Sequence, residues 1–192
     1  MNSLHNRIIE ISKKNGLTHL GSCLTSINII DEIYSIKKPD EPFVLSCGHA
    51  GLALYVVIEK YYDINAEKIY IHHGTHPDRC KKCKIDCSSG SLGHGLPIAL
   101  GMAMAERSKN VYCLISDGEC FEGSIYEAAN VMRKYKVTNL KVYINFNGWS
   151  GNDIVETWML KNIMTLIPSI NVHITRVEDY GLKGLSAHYI TL

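Results

Sequence analysis

The chain has 192 residues, 46% of them apolar, enough for one compact domain with a core. A net charge of +1 with 20% charged residues gives no broad basic field, so no nucleic acid partner is expected. No run of about 18 apolar residues occurs, so no membrane span is expected either.

The N-terminal "MNSLHNRIIEISKKNG" reads as an amphipathic helix rather than a secretion signal, which makes the cytoplasm the expected location. Leu4, Ile8, Ile9 and Ile11 form its apolar face, and Gly16 is its stop. Residues 25–36 read as a second helix, with Thr25 or Ser26 as cap. Residues 42–51 read as a short buried strand running into a turn, and 51–62 as a helix. Residues 73–92 are polar and rich in turn formers, so they read as a long loop, and such a loop in a compact domain is usually functional. Residues 93–107 are apolar on nearly every face, as in a buried helix, with Pro97 tolerated in its first turn.

Strands at 110–116, 139–145 and 171–177 then alternate with helices at 122–135 and 151–164. The helix at 122–135 starts acidic and ends basic, which complements its dipole. This alternation predicts an α/β fold: a parallel central sheet with helices on both faces, in a single domain over 1–192.

In such sheets ligands sit beyond the carboxyl ends of the strands. Asp117 follows "VYCLIS" at one such end, and Asn147 lies just past "KVYIN" at the next. If the two strands are neighbours, a carboxylate, an amide oxygen and a nearby backbone carbonyl form a hard-oxygen site for Mg²⁺ or Ca²⁺. Mg²⁺ completes its shell with phosphate and water, so a phosphate-bearing ligand is expected too. Gly118 permits close backbone approach, and the helix start beyond it offers N–H groups to an anion. Taken alone, Asp117-Gly118 is also what a simple strand-to-helix turn with an Asp cap looks like.

The wider pattern runs from Asp117-Gly118 through Glu122-Gly123, Glu127-Ala128 and Asn139-Leu140 to Asn147, thirty residues after Asp117. It resembles the thiamine diphosphate fingerprint, and within it the transketolase branch, with Ser116 where that family usually has Gly. "LTHLGSCLTSINIIDEIY" resembles the family's N-terminal Gly-His-x-Gly stretch, with His19 at the histidine. "VLSCGHAGLALY" is similar to its Leu-Ser-x-Gly-His segment (His49), and "GTHPDR" to its Gly-His-Pro-Glu (His76). "SSGSLGHG" is similar to its Thr-Gly-x-Leu-Gly-Gln-Gly, with His94 where Gln is usual.

The resemblance implies a diphosphate-binding domain of the transketolase N-terminal type. It implies Mg²⁺ held by Asp117, Asn147 and the Trp149 carbonyl, and thiamine diphosphate bordered by Gly90, Leu92, Gly93, His94, Gly95, Gly118 and Glu122. It implies His19, His49 and His76 as substrate-channel histidines that move protons. The stretch 181–189 is weakly similar to one that adds a further histidine, here His188. The family's pyrimidine-binding domain has no counterpart in this chain. The implied protein is therefore one subunit of a split transketolase that moves a two-carbon ketol unit between sugars or sugar phosphates. Its partner would be a separate C-terminal-type subunit in a hetero-oligomer, α2β2 in the simplest form. The alternatives are a subunit of a thiamine diphosphate-dependent 2-oxoacid decarboxylase and a non-catalytic cofactor-binding scaffold.

Seven cysteines complete the inventory. Cys23, Cys47, Cys113 and Cys120 are scattered and read as buried free thiols. Cys80, Cys83 and Cys87 form C-x₂-C-x₃-C just after His72, His73 and His76. Three thiolates and an imidazole make a structural zinc set, with His72 or His73 as the fourth ligand; reduced surface thiols are the alternative.

Overall fold

The computed structural model describes residues 3–190. Four parallel strands form one sheet in the order β1 (Phe43–Leu45), β2 (Val111–Ser116), β3 (Leu140–Phe146), β4 (Asn171–Ile174). Val44 pairs with Cys113, and Ser116 at the tip of β2 pairs with Asn145 of β3. All six residues of β2 are buried, as a central parallel strand covered on both faces requires.

The pleat sends alternate residues to two cores. Tyr112, Leu114 and Tyr143 join Ile8, Leu24, Val56 and Ile69, which come from α1 (Ser3–Asn15), α2 (Leu20–Ile36), α3 (Gly51–Tyr62) and α4 (Ala66–His73). Cys113, Ile115, Val142 and Ile144 join Leu96, Ala99, Ile125, Ala129 and Ile163, from α5 (Gly95–Ala105), α6 (Gly123–Lys134) and α7 (Thr157–Leu166). Helices thus cover both faces, as the alternating sequence pattern predicts. Cys23, Cys47, Cys113 and Cys120 are buried free thiols within these cores. Among the described residues, no helix is long and apolar enough to cross a membrane.

Several boundaries differ from those the sequence predicts. Helix α2 begins at Leu20, so Thr25 and Ser26 lie buried inside it rather than capping it. His19 is its N-cap, in left-handed conformation at φ 63°. The two hydroxyls instead receive the Asn145 side-chain amide, at 2.9 Å to Thr25 Oγ1 and 3.1 Å to Ser26 Oγ, which ties α2 to β3. Helix α7 starts only at Thr157, because Ser150 and Asp153 close a turn and Trp149 bridges Ile154 in extended pairing. Strand β4 stops at Ile174. Helix α4, which carries His72 and His73, is too short to show a clear period in the sequence. Gly16 does terminate α1, in left-handed conformation with its N–H on Ser12 O at 2.8 Å.

Candidate functional site

The carboxyl ends of β1, β2 and β3 converge on one cavity. It is lined by Ser22, Ser26, Cys47, His49, Asp117, Gly118, Asn145, Asn147 and Trp149, among others, and no lysine or arginine of the described residues lines it. Asp117 is fully buried. One carboxylate oxygen accepts from the Gly118 N–H at 2.9 Å, the other from the Gly148 N–H at 2.6 Å. The second bond ties the tip of β2 to the turn beyond β3, so Asp117 and Asn147 sit at one place. Asn147 is buried as well, and its Oδ1 accepts from the Trp149 N–H at 2.9 Å.

Burial pushes the Asp117 carboxyl up to about 7, although backbone N–H groups of Gly148, Gly118 and Asn147 favour its charged form. Among the described residues its hydrogen-bond donors are backbone amides, with no basic side chain among them. A buried carboxylate held only by amides is a seat for a cation. Ser22 Oγ, on the same cavity wall, is buried without a hydrogen-bond partner among the described residues, as at a place prepared for a polar ligand. The donor set therefore fits a small divalent ion with an anionic ligand above it.

The loop at 90–95 closes the cavity from the side of β1. Gly93 has φ 78°, and a Cβ there would lie 2.6 Å from Glu122 Cβ and 2.5 Å from Ser124 Oγ. Only glycine lets this loop pack onto the start of α6. Glu119, fully buried, holds the loop in place. Its Oε1 accepts from the Gly93 N–H at 2.9 Å and from the Ser46 hydroxyl at the end of β1. Its Oε2 accepts from the Ser116 N–H at 2.8 Å. Burial raises its pKa, and these donors oppose the rise. Glu119 is a residue that sequence reasoning misses; the available signal is an acid inside the "SDGECFEG" turn. Leu92 lines the cavity, and Glu122 is half-buried against Gly93, whereas His94 is exposed at the start of α5.

A second cleft shares His49, Leu92, Gly151 and His188 with the first, and adds His19, His76, Gly90 and Tyr189. The rings of His19 and His49 are 5.5 Å apart, and His188 lies 6.3 Å from each. His76 packs its ring against Gly90. His19 Nδ1 is 2.9 Å from Thr18 Oγ1, which leaves Nε2 as the nitrogen open to a ligand. The His188 carbonyl accepts the His19 backbone N–H at 2.8 Å, so the C-terminal stretch is fastened into the site. Burial lowers the pKa of His49 to about 3, and that of His19 and His188 below the ordinary value; neighbouring imidazoles add to the effect at His19 and His49. The His188 hydrogen bond to the Trp149 backbone works the other way. All three rings are neutral near pH 7.

The cysteine loop divides. His73 (rather than His72) meets Cys80 and Cys83, whereas Cys87 is buried in the core on the α5 side of the sheet, its thiol donating to Ser88 O at 3.1 Å. The expected set of three cysteines is thus corrected to two: Ile85 and Cys87 turn inward with the apolar core and leave Cys80 and Cys83 outside.

The fold and these strand tips define an α/β ligand-binding domain of the type that works beyond the carboxyl ends of a parallel sheet. Residues 35–186 match the family model described as "Transketolase, thiamine diphosphate binding domain", and the chain belongs to that family. It is 36% identical over 164 residues to a subunit of the apulose-4-phosphate transketolase of Phocaeicola vulgatus, covering 73% of this chain and 57% of that protein. It is 30% identical over 166 residues to the 6-deoxy-6-sulfo-D-fructose transketolase subunit SqwG of Clostridium sp., covering 76% and 60%. Human transketolase is 33% identical over 173 residues, covering 79% of this chain but 28% of its own length. The chain thus spans little more than half of the two bacterial relatives and under a third of the human enzyme. The fold of Campylobacter jejuni transketolase superposes with a TM-score of 0.69 at 24% identity, over 88% of this chain and 32% of that one.

Proposed function

We propose that this chain is the diphosphate-binding component of a two-component transketolase that moves a two-carbon ketol unit between a ketose and an aldose, both phosphorylated sugars. In this reading residues 1–192 form one domain, and the second component carries the pyrimidine-binding domain in a cytoplasmic hetero-oligomer of α2β2 type. The observation that carries it is the buried carboxylate of Asp117, held by amides alone beside Asn147, with a histidine cleft opening next to it. Two relatives bearing the word "subunit" in their names support the division of labour.

Asp117, Asn147 and the Trp149 carbonyl would hold Mg²⁺ (Ca²⁺ has the same oxygen preference), and the ion would hold the diphosphate. Gly90, Leu92, Gly93, His94, Gly95, Gly118 and Glu122 would border the cofactor, with Glu119 keeping their loop in register. Bound thiamine diphosphate supplies the carbanion stabilisation that breaking a ketose C–C bond requires. The chain's own work is protonic. His19 and His188 are neutral at pH 7, so each can accept a proton from a sugar hydroxyl and return it, while His49, which burial keeps from protonating, is placed to hold that hydroxyl by a hydrogen bond. His19 does so at Nε2, because Nδ1 is engaged by Thr18. His76, exposed at the rim, is placed to hold a donor hydroxyl.

The test is to purify the two components separately and follow ketol transfer with thiamine diphosphate and Mg²⁺. Activity is expected only after mixing. Equal transfer by this chain alone would contradict the partner, and a mixture that does not bind the cofactor would contradict the site.

A further inference from the structure

One side-chain cluster lies outside both the strand-tip cavity and the histidine cleft. Midway through residues 74–92 the chain makes a tight turn in which Cys80 and Ile85 exchange both backbone hydrogen bonds, each 2.9 Å. Lys84 takes φ 60° there, a left-handed conformation that is unfavourable for a residue with a Cβ. The turn gathers donors. The Cys83 N–H points at Cys80 Sγ at 3.2 Å, the two sulfurs are 2.8 Å apart, and His73 Nε2, from the last turn of α4, is 3.5 Å from Cys83 Sγ. The three donor atoms lie within 4.8 Å of one another, the one such group of metal-binding side chains among the described residues.

We propose that His73, Cys80 and Cys83 bind a zinc ion. Two thiolates and an imidazole suit Zn²⁺, whereas Mg²⁺ and Ca²⁺ take oxygen. A tetrahedral ion with ordinary zinc distances sets the S···N edge at about 3.6 Å and the S···S edge at about 3.8 Å. The first matches the His73–Cys83 separation of 3.5 Å; the second asks the sulfurs, now 2.8 Å apart, to part by about 1 Å. That sulfur separation is well beyond a disulfide bond of about 2.0 Å. The Cys80 thiol is held below its ordinary pKa by the contact with Cys83 Sγ and by the Cys83 and Lys82 N–H groups, while burial raises Cys83 to about 11. Binding displaces both thiol protons to solvent, leaving a neutral Zn²⁺–dithiolate unit. All three side chains are partly exposed, so water takes the fourth position.

The ion would fasten the end of α4 to the turn. The base of the same loop is closed by Ser89 N–H on Pro77 O at 3.0 Å and Arg79 N–H on Ser88 Oγ at 2.7 Å. Between these ties runs the stretch that presents His76 against Gly90, so the zinc braces the rim of the histidine cleft from outside it.

The experiment uses the full chain without a histidine tag, kept reduced, loaded with zinc alone and then desalted. About one equivalent of zinc per chain is expected, and cobalt in its place should give thiolate charge-transfer bands and a tetrahedral visible spectrum. Cys83→Ser and His73→Ala should each retain below about a tenth of an equivalent. Since a variant could misfold, chelation of the wild-type chain is the second arm: its thermal midpoint should fall and recover on adding zinc. Wild-type protein that holds less than about a tenth of an equivalent, or a midpoint indifferent to chelation and zinc, overturns the proposal.

Discussion

The strand-tip cavity and the histidine cleft share a wall, yet they are built by opposite means. At the strand tips, polar side chains are held by backbone amides: Asp117 by Gly118 and Gly148, Asn147 by Trp149, Glu119 by Gly93 and Ser116. In the cleft, His19, His49, His76 and His188 arrive from four distant stretches, and three of them meet ring to ring. The first arrangement fixes polar atoms in one position; the second brings neutral rings together on the wall of one cleft. Their pH responses have opposite signs. Asp117 resists ionising in the folded chain, so its contribution to stability is lost as pH rises from about 3.8 to about 7. His49 resists protonation, so its contribution is lost as pH falls from 6.5 towards about 3.

The largest separation of the two regions is expected in turnover. His19→Gln should lower kcat for ketol transfer in the proposed two-component enzyme by roughly 10²–10⁴-fold while leaving thiamine diphosphate affinity in place. Loss of affinity with kcat intact would erase the distinction. Next comes the pH dependence of the metal-free chain. Asp117→Asn should remove a stability loss between pH 4 and 7 of about 4 kcal/mol at most, read by denaturant unfolding across that range. An unchanged slope would mean that Asp117 is not the group responsible. Glu119→Gln should destabilise by about 1–3 kcal/mol, because an amide cannot accept all the N–H and hydroxyl bonds that converge there. The smallest effect is that of Thr25→Val, about 1 kcal/mol, through the lost hydrogen bond with Asn145. Calorimetric unfolding checks both.

These two regions are also unequally legible in the sequence. The strand tips follow from alternation and local turn chemistry: "VYCLIS" before Asp117 and "KVYIN" before Asn147 fix where each side chain emerges. The cleft depends on long-range packing, and only the family resemblance gathers His19, His49 and His76 beforehand. His188 gives a weak signal because its placement rests on a backbone bond to His19, across most of the chain. Thr25 and Ser26 mislead for a related reason: hydroxyls that resemble a helix cap are recruited by Asn145, over a hundred residues away. Cys87 joins Cys80 and Cys83 by spacing alone, and the core claims it through burial, as it does nearby Ile85.

The most direct measurement is a calorimetric titration of thiamine diphosphate into the chain with its proposed partner, with and without Mg²⁺, for wild type and Asp117→Asn. The expected result is binding that needs the ion and weakens by roughly a hundredfold or more in the variant. Equal affinity in the variant, or binding indifferent to divalent ions, would contradict a cation seat at the strand tips.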